Sequence, residues 1–149
     1  MSGNGTVDIS SSSVNEPYVP KNAVDFESEN VHNYFQSIDQ SNSWLQYDFK
    51  KRKVCPTHYS IRTRKIYNNN HPKTWVIEGS NTGKNNEWEI LDTKSGITSL
   101  LGLNRTQTFD IKSNTNQFYR FLRIRQTGKN SINCDYLTID SLEYFGYLK

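Results

Sequence analysis

The sequence predicts an all-β fold, an antiparallel β-sandwich of the jelly-roll kind. Apolar residues fall in bursts of strand length, and helical periodicity is scarce. Val, Ile, Thr, Tyr, Phe and Trp dominate those bursts, as a pleated, half-buried surface favours. The stretches between them are built from Asn, Ser, Gly and Lys, which serve turns. Seven or eight short strands with such loops fit two packed antiparallel sheets.

Taken in order, residues 1–12 ("MSGNGTVDISSS") are rich in Ser and Gly and are expected to be a loosely held N-terminal tail. Residues 13–149 then form a single domain, a length that suits one core. Strands are predicted near 44–49 ("WLQYDF"), 57–64 ("THYSIRTR"), 74–79 ("TWVIEG") and 88–92 ("WEILD"). Further strands fall near 108–112 ("TFDIK"), 118–126 ("FYRFLRIRQ") and 136–145 ("YLTIDSLEYF"). "YNNNHP" at 67–72 interrupts the pattern, because Asn accepts turn geometries and Pro72 has no amide hydrogen. "SNTGKNNE" at 80–87 reads as a hairpin loop with Gly83 available for positive φ. Alternation groups Trp75 with Ile77 and Trp88 with Ile90, so both tryptophans are expected to face the core.

Composition narrows the functional classes. The net charge of +3 and short basic clusters such as "KKRK" at 50–53 make no nucleic-acid footprint. No run approaches the roughly 18 apolar residues of a membrane span. The first residues lack the basic start and apolar centre of a signal peptide, so the expectation is a soluble, intracellular chain. Cys55 and Cys134 are too few for a disulfide scaffold and are expected to be unlinked thiols. The tripeptides Asn4-Gly-Thr6 and Asn104-Arg-Thr106 match a glycosylation pattern that arises often by chance. His32, His58 and His71 sit in different segments, with no context for a catalytic triad, phosphate loop or zinc site. The chain is therefore not expected to be an enzyme.

Four stretches, in this order, resemble the discoidin family of coagulation-factor type C domains: "SWLQYDFKKRKVCPTHYSIRT", "KTWVIEGSNTGKNNEWEIL", "FYRFLRIRQTGKN" and "YLTIDSLEYFG". The resemblance covers about residues 20 to 147 and implies a galactose-binding-like jelly roll. "VCPTHYSIRT" and "RQTGKN" look like copies found inside intracellular multidomain proteins, often beside BTB or ubiquitin-ligase modules. Secreted members commonly join cysteines near their two ends, and here neither end carries one.

The resemblance also implies that ligands meet the loops at one end of the sandwich. The matching stretches are 12–21, 64–71 and 125–135, which supply Tyr18, Tyr67, Asn69, His71, Lys129 and Asn130. An aromatic ring beside amide and cationic groups can stack on a sugar or anchor a peptide. Related domains often hold a structural calcium ion, and Asp25 and Glu143 occupy similar places here, although Ca²⁺ wants six to eight oxygens. Arg120 falls on an apolar face and needs a carboxylate, with Asp48 or Glu143 in reach. Arg125 sits next to a loop, where a ligand contact and a solvated role are both open. The reading is a non-catalytic binding module for protein–protein recognition inside a larger intracellular protein. A lectin-like carbohydrate-binding role is the alternative. Phospholipid binding ranks below both, because the loops are too polar for membrane insertion.

Overall fold

The computed structural model describes residues 7–112 and 116–149. The strands are β1 (Asp8–Ser11), β2 (Phe35–Gln36), β3 (Trp44–Asp48), β4 (Val54–Arg62) and β5 (Trp75–Ser80). They continue with β6 (Glu89–Lys94), β7 (Thr106–Asp110), β8 (Phe121–Arg125), β9 (Thr138–Ile139) and β10 (Ser141–Leu148). A short 3₁₀ turn over Pro20–Val24 precedes β2. One sheet runs β1-β3-β8-β5-β6, a second runs β10-β4-β7, and β2 pairs with β9, all antiparallel. This is the sandwich that the alternating pattern predicts.

Leu45, Tyr47, Trp75, Ile77, Leu122 and Ile124 come from the five-stranded sheet and are buried against Tyr59, Ile61, Phe109, Leu142 and Tyr144 of the other. Three polar contacts cross this core. The Trp75 indole donates to the Tyr59 hydroxyl at 3.0 Å, and that hydroxyl donates to Asp92 at 2.6 Å. The Tyr47 hydroxyl donates to the Leu142 carbonyl.

Pro56 sits in β4, the central strand of its sheet, where a residue without an N–H is tolerated next to a bulge. The bulge lies opposite, between Phe145 and Gly146 of β10. Gly146 is required there, since a Cβ would stand 2.1 Å from the Cys55 carbonyl oxygen.

Several expectations need correction. Residues 8–11, placed in the tail, form β1 and pair with β3. Residues 1–6, including the Asn4 tripeptide, lie outside the described residues. The single strand predicted over 136–145 is two, broken at Asp140, whose buried carboxylate holds Arg62 and Lys65 at 2.9 Å each. His58 lies on the exposed face of β4, its ring 2.8 Å from Thr57 Oγ1 and 3.1 Å from Asp110. Cys55 is buried, Cys134 is half-buried, and neither is in a disulfide.

Trp88 is the main reversal. It shares a face with Ile90, as alternation requires, but that face is the outer one, and Ile90 is 55% exposed. The β5–β6 register shifts between Ile77 and Glu78, so Ile77 pairs with Asp92 and Glu78 with Ile90. Leu91 is the extra residue and turns into the core, which reverses the parity of everything before it. Trp88 lies over the outer face instead, 3.9 Å from the Arg123 guanidinium, which also sits 5.5 Å from the Trp44 ring.

Outside the core, the arginines are tied down. Arg120 pairs with Asp48 at 2.8 and 3.1 Å, one of its two expected partners. Arg123 and Arg125 both hold Glu78, at 2.9 and 3.0 Å, so Arg125 is engaged rather than free for a ligand. Burial pushes the Glu78 carboxyl up, but hydrogen bonds from Arg125 and Arg123 outweigh it and hold it below the usual range.

The two tryptophans should therefore respond differently to truncation. Trp75→Ala is expected to cost about 3–5 kcal/mol, as for aromatics removed from cores. Trp88→Ala, losing a half-buried stack on a cation, is expected to cost about 1–2 kcal/mol. Urea unfolding of both variants measures this, and equal losses would contradict the assignment of faces.

Candidate ligand-binding site

Register places the site. Trp44 and Val76 both lie opposite Arg125, so β3 and β5 begin beside the end of β8. The connections 37–43, 63–74 and 126–137 therefore emerge at one end of the sandwich. The loop 81–88, between the end of β5 and β6, lies at the other. Segment 12–36 joins the first end through Asn15 N–H to Gln36 O (2.8 Å) and Gln36 N–H to Tyr18 O (3.1 Å). Ser37 N–H donates to Leu137 O at 2.9 Å. The loops 63–74 and 126–137 are bonded together by Ser131 N–H to His71 O (3.0 Å) and His71 N–H to Ser131 Oγ (2.9 Å). The three stretches singled out in the sequence, 12–21, 64–71 and 125–135, thus meet at this end.

Arg64 lies at the centre and is only 5% exposed. Its Nη1 donates to the Tyr34 hydroxyl and to Gln36 Oε1, both at 3.1 Å. Its Nε donates to the Tyr67 carbonyl at 3.2 Å, and Nη2 donates to Asn69 Oδ1. The guanidinium carbon lies 5.0 Å from the Tyr34 ring centre and 5.3 Å from that of Tyr67, within cation–π range. Tyr18 stacks on Tyr34, with ring centres 4.3 Å apart. Burial and the hydrogen bond with Tyr18 push the Tyr34 hydroxyl up to about 12, so it stays protonated.

Tyr67 presents the accessible surface. The residue is 52% exposed and its backbone has φ 63°, a left-handed conformation that bulky residues seldom adopt. Strain of this kind persists where surrounding bonds enforce it. Here Arg64 holds the Tyr67 carbonyl, and Asn69 N–H donates to the same oxygen at 2.8 Å. His32 stands 6.2 Å from the Tyr67 ring, and Asn68 Oδ1 is 2.9 Å from His71 Nε2. The result is an exposed ring over a buried cation, bordered by amides.

The predicted site residues divide. Tyr18, Tyr67 and Asn69 belong to the cluster around Arg64. His71 is buried beside it, with its ring on Asn68 and its backbone on Ser131, so it positions the loop. Lys129 is exposed and pairs with Asp135 at 2.5 Å. Asn130 is buried and fully engaged, donating to Asn70 Oδ1 and Tyr136 O and accepting from the amides of Ile132 and Cys134. It therefore shapes the loop and presents nothing to a ligand. Sequence reasoning missed Arg64, Tyr34, Gln36, Asn68 and His32. The "IRTR" alternation, which puts Arg62 and Arg64 on one side, was the available signal.

Asp25 is exposed and accepts from Asn33 Nδ2 at 3.4 Å, while Glu143 is half-buried within β10. Among the described residues no three His, Cys, Asp or Glu side chains gather as a metal set.

No family model matches the chain. The chain is 30% identical over 111 residues to the E3 ubiquitin-protein ligase Ufd4 of Drosophila melanogaster, covering 72% of this chain. It is 31% identical over 94 residues to the E3 ubiquitin-protein ligase hecd-1 of Caenorhabditis elegans, covering 62%. The matches span about 4% of the length of each of these relatives. Among solved structures, the family 32 carbohydrate-binding module of Clostridium perfringens NanJ, in complex with galactose, superposes with a TM-score of 0.71. It covers 97% of this chain and 94% of its own at 14% identity. The fucolectin of striped bass (Morone saxatilis) serum gives 0.74 over 95% of this chain and 47% of its own, at 17% identity. The fold is the galactose-binding-like β-sandwich. Among the described residues, no helix of this β-sandwich is long and apolar enough to cross a membrane.

His71 makes the site's architecture testable by pH. Burial, and then the nearby Arg64 charge, lower its basicity below the ordinary value of 6.5. Between the folded value and 6.5 the unfolded chain binds this proton and the folded chain does not. The stability His71 contributes is therefore complete above 6.5 and falls as pH drops through that window. Urea midpoints followed from about pH 8 to about pH 5 should fall more steeply for wild type than for His71→Gln. Parallel profiles would show that His71 is not held neutral.

Proposed function

We propose that this chain is a non-catalytic binding module that takes a saccharide at the loop end around Arg64 and Tyr67. The observation that carries this is the half-exposed Tyr67 ring, held in a strained backbone over a buried guanidinium and bordered by Asn68, Asn69 and His32. Sugars are recognised by this combination, an aromatic face for the C–H surface of the ring and amide or cationic donors for the hydroxyls. The structural neighbours support the reading, since one is a carbohydrate-binding module in complex with galactose and another a lectin domain in complex with Lewis B antigen.

The sequence alone favoured protein–protein recognition inside a longer intracellular protein. That remains the second reading, supported by the two ubiquitin-ligase relatives. It would use the same end, with the Tyr67 ring as the anchor for a partner.

A glycan array on the isolated chain, beside affinity capture from cell extract, separates the two. Binding to a glycan is expected, with Tyr67→Ala weakening it by about thirtyfold, or about 2 kcal/mol. Changes in the 81–87 loop, at the far end, are expected to leave it unchanged. Capture of a protein partner without any glycan would favour the second reading. A ligand indifferent to Tyr67→Ala would remove the site.

A further inference from the structure

We infer that the ligand at this end is an acidic saccharide of the uronic-acid kind, whose carboxylate supplies the counter-ion that Arg64 lacks. This rests on the saccharide reading of the loop end. The first observation is a comparison among arginines. Arg62 is paired with Asp140, Arg120 with Asp48, and Arg123 and Arg125 with Glu78. All four keep some exposure. Arg64 is more buried than any of them, yet among the described residues no carboxylate oxygen lies within 4.0 Å of it. A buried cation without a counter-ion is costly unless something else compensates it.

Two carboxylates near this end are committed to other cations. Asp140 takes the two cations that flank Arg64 in sequence, Arg62 and Lys65, and Asp135 takes Lys129. Around Arg64 the chain instead places neutral acceptors: a phenol, a backbone carbonyl and two side-chain amides. These satisfy hydrogen bonds and leave the charge in place. A guanidinium has five N–H donors. Four are engaged, and the fifth, on Nη2, has no acceptor among the described residues. An incoming carboxylate would meet an uncompensated positive charge in a partly desolvated setting, where attraction is stronger than in water. A neutral sugar gains the ring stacking and the amide contacts but not this.

Matched probes test it on the wild-type chain. The methyl glycosides of glucuronic, galacturonic and mannuronic acid are titrated against the ¹⁵N-labelled protein, each beside its uronamide, which keeps the ring and loses the charge. At least one acid is expected to shift the amide resonances of residues 64–71 and to bind about tenfold or more tightly than its uronamide. Arg64→Gln is expected to abolish that difference, and if the variant does not fold, the wild-type pairs decide alone. Uronamides binding as tightly as the acids would overturn the acidic preference while leaving a saccharide site. Acid preference unchanged in a folded Arg64→Gln would remove Arg64 from the account. If neither acids nor uronamides move those resonances, the saccharide reading falls as well.

Discussion

The Tyr59 hydroxyl joins the two sheets. It accepts from the Trp75 indole and donates to Asp92, so one oxygen on β4 fixes both β5 and β6 across the core. Burial, and then the bond to Asp92, push the Tyr59 hydroxyl far above its ordinary value, so it serves as a donor at any ordinary pH. The consequence reaches the loop end. Trp75 is the first residue of β5, directly after the segment that carries Arg64, Tyr67 and His71. Fixing Trp75 fixes where that segment must land, and Thr127 N–H to Thr74 O (3.2 Å) ties the neighbouring loop to the same point. A strained Tyr67 needs such an anchor, since a loosely held loop would relax.

Two kinds of charge management divide the molecule. On the sheet, Glu78 is shared by Arg123 and Arg125, and Asp48 takes Arg120. Such pairs fix geometry more than they add stability, because desolvating each ion offsets the attraction. They also leave little unsatisfied electrostatic demand. At the loop end the balance differs, with a cation held by neutral groups and faced by aromatic rings. The first arrangement makes a frame, and the second keeps a field.

Much of the fold was legible because β-structure writes itself as alternation, and the long strands fell within a few residues of their predicted positions. The short elements were not. β2 and β9 have two residues each, too few to show a period, and β1 is a polar-looking edge strand that only pairing with β3 reveals. Trp88 shows the limit of parity. Alternation correctly grouped it with Ile90, but a single bulged residue, Leu91, decides which face that group occupies. The site was half legible. Tyr67 and Asn69 could be read as loop residues with ligand chemistry. Asn130 could not be distinguished from them, because an amide that organises its own loop and one that meets a ligand look alike in sequence. Arg64 was hidden for a different reason. Its character lies in the carboxylate it does not have, and that is a property of three-dimensional neighbours.

The outer face of the five-stranded sheet offers a rival surface, with Trp44, Trp88 and Ile90 all on it. Its chemistry argues otherwise. Arg123 lies between Trp44 and Trp88, with Phe121 edge-on to Trp88 at 6.3 Å, and the same arginine is bonded to Glu78. Arg125, next in the row, is bonded to Glu78 and to Asn42 at 2.8 Å. Each ring there is already covered by a cation, and each cation is already neutralised by a carboxylate. A ligand would have to break those contacts before making its own. Tyr67 and Arg64 ask for no such exchange: the ring is open, and the cation beneath it keeps its charge.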